Sequence, residues 1–255
     1  MGVGDILNSI REKNALLFYF GTVCFIAGLV CIVLMQTTNQ RIMGVSAWLK
    51  PMKFYLSIAI FSWSMGFYMQ FLDAQAKVSV YNYVLVAGML IELLIITGQA
   101  ARGQLSHFNV STPLNGALFS IMGITIVIVN LWTAYIGYLF FEQSGFDIPM
   151  DWVWGIRLGI IISVIFAFQG GIMGGMLRHT VGAEDGGTGI PLVNWSKTNG
   201  DLRIAHFFGL HALQIIPLLS MLIARNTMHV IAIATAYTLF VVYTLVQALQ
   251  RKSLF

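Results

Sequence analysis

Seven apolar runs, each about as long as a membrane is thick, dominate the chain, at roughly 15–36, 53–73, 82–102, 114–141, 153–177, 204–224 and 229–249. A spanning helix needs about 20 mostly apolar residues, because each residue rises about 1.5 Å and the hydrocarbon core is about 30 Å thick. Lipid offers no partner to a peptide group, so a segment placed there must be a helix or part of a closed barrel. The runs are nearly continuous and lack the alternation of barrel strands. The expected fold is therefore all-α, a polytopic membrane bundle of seven transmembrane helices in a single domain over 1–255. Composition agrees. Only 9% of the 255 residues are charged, against about 25% in a soluble domain. The first run follows Arg11 and Lys13, yet it is too long for a signal peptide and lacks a small-residue cleavage pattern, so it reads as a retained anchor.

Basic residues divide unequally between the loops. Arg41, Lys50, Lys53, Arg102, Arg178, Lys197, Arg203, Arg251 and Lys252 fall after the first, third and fifth runs or at the C-terminus. The other side has Arg11, Lys13, Lys77 and Arg225, with Arg157 just inside a run, and its loop between the fourth and fifth runs carries Glu142, Asp147 and Asp151. The positive-inside rule then places the N-terminus outside and the C-terminus in the cytoplasm, as in a multi-pass protein of a bacterial inner membrane. The net charge of +4 is spread along the chain. It forms no dense Lys/Arg block, so the expected partner is the bilayer and not nucleic acid.

Cys24 and Cys31 lie about two turns apart in the first run, too far for a disulfide, and read as small apolar packing residues. The glycine pairs 170–171 and 174–175 give overlapping small-xxx-small patterns, which predict close helix packing. One long loop, about 178–203, is rich in glycine and carries Glu184 and Asp185. A loop of that length and makeup is commonly a lid or binding loop, or else mobile. Its Gly-Gly-Thr-Gly lacks the lysine and the following helix of a phosphate loop.

Polar side chains inside the runs point to a site, because each is costly in hydrocarbon. Glu92 is the one acidic residue near the middle of a run. By helix rise it lies about 15 Å inward from Arg102, and His211 lies about 12 Å inward from Arg203, which gives the two similar depth. His206 and Gln99 share a shallower level, beneath Lys53, Arg102, Arg178, Arg203 and His107. Asn130, Gln169 and Gln214 read as structural hydrogen-bonding groups. His206 and His211 are five residues apart, about 140° around a helix, so they do not form a simple two-histidine chelate. A π-bulge at Gly209 would bring them together.

Lys50 to Phe54, Gln99 to Asn109 and Gly200 to Gln214 resemble segments of a group of seven-helix bacterial integral-membrane proteins. That likeness implies the fold and the membrane and supplies no catalytic residues. Three functions follow from the residues. The first is a metal- or haem-assisted membrane enzyme or electron-transfer protein acting on a lipid-soluble substrate. Glu92 and His211 would be its reactive pair. His107, His206 and His211 would be candidate ligands of a transition metal or haem b, and Lys53, Arg102, Arg178, Arg203 and Gln99 would hold the cofactor or an anionic small molecule. The second is a proton-coupled transporter or channel using Glu92 and His211. The third is a receptor or sensor for a small hydrophobic ligand. An oligomer is compatible with each.

Overall fold

The computed structural model describes residues 2–255. Eight α-helices follow one another: α1 (Val3–Lys13), α2 (Ala15–Thr37), α3 (Leu49–Met69), α4 (Gln75–Ala101), α5 (Pro113–Glu142), α6 (Met150–Met176), α7 (Leu202–Ile223) and α8 (Thr227–Leu249). Two small antiparallel hairpins interrupt them, β1 (Arg41–Ile42) with β2 (Val45–Ser46), and β3 (Thr180–Val181) with β4 (Gly200–Asp201). Six helices, α2 and α4 to α8, are long and apolar enough to cross a membrane. The protein is thus a helical, multi-pass membrane protein.

Several boundaries differ from the sequence expectation. α1 falls outside the seven runs. It is a short helix with Arg11 and Lys13 in its last turn and only Ile10 buried. Asn14 separates it from α2, leaving helical geometry and accepting from the Leu17 N–H with its side chain. α3 begins four residues before its run, which puts Pro51 in the first turn, where a missing N–H costs little. It ends at Met69, because the Gln75 amide reaches back to the carbonyls of Met69 and Leu72. α4 starts seven residues early, since Val78 and Tyr81 are buried and extend its apolar face.

By packing, the chain forms two compact units, Met1–Trp132 and Thr133–Phe255, divided within α5. In the first unit α2 lies against α3 at two glycines. A Cβ on Gly21 would stand 2.5 Å from the Trp63 ring, and one on Gly28 would stand 2.7 Å from Leu56. Ile10 of α1 covers Gly66, and Val129 of α5 covers Gly88. Asn14 and Asn82 exchange side-chain hydrogen bonds of 3.2 and 3.0 Å in the interior. Cys24 and Cys31 are both buried and free, Cys31 packing with Leu49 and Met52.

In the second unit α6, α7 and α8 enclose a core that includes Ile162, Phe166, Ala205, Ala212, Ile216, Ala234 and Val241. The close contact between α6 and α7 is made at Gly155, Gly159 and Gly209. A Cβ there would meet Ser220 Oγ at 2.1 Å, the Ala212 carbonyl at 3.0 Å and Phe166 at 2.1 Å respectively. Gly155 and Gly159 form a small-xxx-small pair that serves the packing expected of the later glycines. Gly170 faces the His206 ring, while Gly171, Gly174 and Gly175 have nothing within 4 Å. The expectation of close packing at 170–175 therefore holds for Gly170 alone. The physical reason lies in α7. Pro217 and Ser220 sit against Gly155 and Gly159, and Gly209 sits against Phe166, so the close approach runs along α6 from Gly155 to Phe166 and no further than Gly170.

Gly209→Leu should overpack the Phe166 contact and lower stability by about 1–3 kcal/mol or more. Gly171→Ala should leave it within about 0.5 kcal/mol. Thermal unfolding of the two variants in the same detergent checks this contrast.

Candidate functional site

The loop 178–203 is an ordered cover on the second unit. α6 ends at Met176 and is capped by Leu177 in the left-handed conformation (φ 52°), after which Arg178 is exposed. β3 and β4 then bring the loop's two ends together, and a bridge between Gly189 and Ser196 closes its middle. Asp201 organises this cover. Its buried carboxylate accepts from the backbone N–H of Ser196 at 2.8 Å and of Arg203 at 3.0 Å. It also accepts from Arg203 Nε at 2.9 Å and an Arg203 terminal nitrogen at 2.6 Å. That nitrogen also bonds the Asn194 carbonyl. Asp185 plays a matching part, accepting from the N–H groups of His179 and Thr180. The His179 ring stands between the two acids, 3.2 Å from Asp185 and 3.9 Å from Asp201.

The cover also rests on the C-terminal segment. Trp195 stacks on Phe255 at 6.5 Å and meets Phe207 and Phe208 edge-on or tilted. Gly200 admits the Ala248 carbonyl so closely that any side chain there would collide with it. Gly182, at φ +99°, admits Arg251.

One turn inside, His206 Nδ1 lies 2.8 Å from the Phe166 carbonyl. Only a protonated nitrogen can bond a carbonyl, so Nδ1–H donates and Nε2 carries the lone pair. His211 Nδ1 donates likewise to Gln214 Oε1 at 3.2 Å, and its ring packs on Phe207 at 4.4 Å. α7 is α-helical throughout, with no π-bulge at Gly209. The two histidines therefore keep the 140° divergence of a regular helix and face different neighbours. Gln169 is nine-tenths buried, and neither its oxygen nor its nitrogen has a hydrogen-bond partner. Arg157, also buried, donates from Nε to the Phe140 carbonyl at 2.8 Å and lies 5.0 to 5.7 Å from the rings of Phe141, Trp154 and Phe146. That cage seats a cation inside α6.

The remaining candidates belong to the first unit. Glu92 is 4% exposed, and its Oε1 has no hydrogen-bond partner. The charge whose field reaches it is Lys50, in the first turn of α3. Lys50 was legible only as part of the Lys50–Lys53 cluster, and its link to Glu92 depends on how α3 packs on α4. Gln99 is buried, donating to Asn115 at 2.9 Å and accepting from Arg102 at 3.1 Å. The Arg102 guanidinium is exposed around that contact. Lys53 and the His107 ring are half-buried, the latter 5.6 Å from Phe54.

Among the described residues, no group of three or more His, Cys, Asp or Glu comes together to hold a metal ion. His107 belongs to the first unit and His206 and His211 to the second. His107 follows α4, and the other two diverge on α7. Comparison with protein-family models, curated proteins and solved structures finds no match to this chain.

Burial alone would raise the Asp201 carboxyl. The Arg203 guanidinium, the Ser196 N–H and His179 outweigh it and hold the carboxyl below its usual range. A depressed carboxyl stabilises the fold fully above the unfolded value of about 3.9 and loses that contribution as pH falls through the folded value. Protection of the Ser196 N–H from exchange, relative to the intrinsic rate at each pH, should therefore fall in the wild type only as pH drops below about 4. In Asp201→Asn its exchange should be faster by at least roughly tenfold at neutral pH, the loss of about 1.5–3 kcal/mol per charged hydrogen bond.

Proposed function

We propose that the chain is a seven-span protein of a bacterial cytoplasmic membrane, N-terminus outside and C-terminus inside, that binds and releases protons at Glu92. α3 supplies the seventh crossing. Its 21 residues reach about 31 Å, and Lys50 and Lys53 near its start can extend their ammonium groups toward headgroups. An odd number of crossings puts the termini on opposite sides, and the bases Arg41, Lys50, Lys53 and Arg102 favour the cytoplasm for the end of the first unit that carries them.

The observation that carries the proton reading is the state of Glu92. A buried carboxyl in a membrane helix is costly, and it persists where it does work. Here one oxygen lacks a hydrogen-bond partner while a lysine supplies the field. A carboxyl oxygen with no hydrogen bond to break takes up a proton at lower cost than one locked in a short salt bridge. In proteoliposomes carrying a trapped pH-sensitive dye, the wild type should dissipate an imposed pH gradient and Glu92→Gln should retain it. Equal rates for the two would overturn this reading.

A second reading, a haem- or metal-assisted protein acting on a lipid-soluble substrate, draws on His206. Its Nδ1–H is anchored to a backbone carbonyl, which orients the basic Nε2, and metal-binding imidazoles are commonly held in this way. Purified protein should then show a Soret band or a stoichiometric transition metal that His206→Ala removes. Absence of both from the wild type rejects it.

A further inference from the structure

We infer that Arg157 of α6 binds the phosphate of a membrane lipid with a zwitterionic phosphoamine headgroup, at the end of the second unit where α5 meets α6. The site is separate from Glu92 and does not depend on its protonation. Arg157 is 7% exposed, in a helix long and apolar enough to cross a membrane. A guanidinium has five N–H donors and keeps its charge. One donor, on Nε, bonds the Phe140 carbonyl at 2.8 Å, which fixes the direction of the fork. The ring centroids of Phe141, Trp154 and Phe146 lie 5.0, 5.1 and 5.7 Å from the guanidinium carbon. The rings hold one another in place. Phe146 stacks on Phe140 at 5.8 Å with planes 2° apart, and Phe141 meets Trp154 edge-on at 6.0 Å. Their faces attract the cation but bring no counter-charge. The four terminal N–H groups have no acceptor among the described residues, and Arg157 forms no ion pair with any of them. The terminal nitrogens are not among the sealed polar atoms of the structure, so a group from outside can reach them.

Taking a cation out of water without a partner is costly, and buried charges are paired as a rule. The partner that fits is an anion with two oxygens side by side, which the planar fork of arginine meets with two parallel hydrogen bonds. Depth points to its source. α6 has 27 residues and so reaches about 40 Å, against a hydrocarbon core of about 30 Å. Arg157 lies about 10 Å along the axis from Met150, the first residue of α6. From there a long side chain reaches the headgroup level. Trp152 and Trp154 on α6, with Tyr138 on α5, fit the aromatic belt of that level. The anion standing there is lipid phosphate. Residues 142–151 also carry Glu142, Asp147 and Asp151 and no base. Glu142 and Asp147 are exposed, and Asp151 accepts from the Trp152 N–H. These acids disfavour a lipid of net negative charge and favour a headgroup amine, so the headgroup that fits carries both charges.

The test uses the full chain, stripped of lipid in a sugar-headed detergent, and reads retained lipid by native mass spectrometry together with the thermal midpoint. Dioleoylphosphatidylethanolamine should stay bound to the wild type and raise its midpoint by roughly 5–10 °C at about a hundredfold excess over the dissociation constant. Dioleoylglycerol, with the same chains and no phosphate, should do neither. Arg157→Lys keeps the charge but lacks the fork, and should hold the phospholipid at least roughly tenfold more weakly. An equal response to dioleoylglycerol, or equal binding by Arg157→Lys, overturns the site. A midpoint raised as far by inorganic phosphate alone overturns the lipid assignment, and a larger response to dioleoylphosphatidylglycerol overturns the zwitterionic one. If Arg157→Lys fails to fold, an exposed pair of changes decides. Glu142→Gln with Asp147→Asn should erase the preference for the ethanolamine lipid over the glycerol lipid, and an unchanged preference overturns the inference.

Discussion

The hydrocarbon core gives a peptide group nothing to bond, and the rest of this molecule depends on that constraint. Once each long segment has closed its own backbone as a helix, apolar surface no longer drives helices together, since lipid is as apolar as leucine. Contact must come from shape and from scarce polar bonds. The chain supplies both. Gly21, Gly28 and Gly88 let neighbours approach in the first unit, and Gly155, Gly159 and Gly209 do so in the second. The polar bonds cross between helices at backbone carbonyls: Trp63 to Phe18, Ser163 to Leu210 and Tyr237 to Phe208. Each such bond satisfies a side chain that would otherwise be stranded.

Against that background the exceptions carry the functional argument. Asn14 and Asn82 bond each other, Gln99 bonds Asn115, and Arg157 Nε bonds a carbonyl. These groups are used up by the structure. Glu92 Oε1 and both amide atoms of Gln169 are not. Glu92 also carries a charge when ionised and faces the field of a lysine, which Gln169 cannot exploit. The same contrast separates the two ends of polar interest. The cover over the second unit is closed upon itself through Asp201, Asp185, His179 and Arg203, whereas residues 38–54 and 99–112 of the first unit carry bases and no acid in their own sequence.

Much of the candidate site was readable from residue type and depth alone. Glu92 stood out because an acid in the middle of an apolar run has few neutral explanations. The divergence of His206 and His211 followed from helix geometry, and an unbroken α7 keeps it. What the residues could not convey was which glycines face a neighbour. The 170–175 pattern and the 155–159 pattern look alike in one dimension, yet Pro217 and Ser220 lie against only the second. The loop 178–203 was equally ambiguous. Its glycines and acids suit a mobile strap, and only the meeting of Asp201 with Ser196 and Arg203 makes it a fixed cover.

The sequence by itself determined the helical membrane architecture and the rarity, hence the importance, of its interior polar groups. Both follow from transfer costs that depend on residue type and run length and not on neighbours. Tertiary structure decided which polar groups are spent and which are left over. It turned Arg203 from a possible anion clamp into the partner of Asp201, and it left Glu92 Oε1 without a hydrogen-bond partner. A side chain's electrostatic role depends on distances of a few ångströms across helices, and those are set by which small residues let which helices touch.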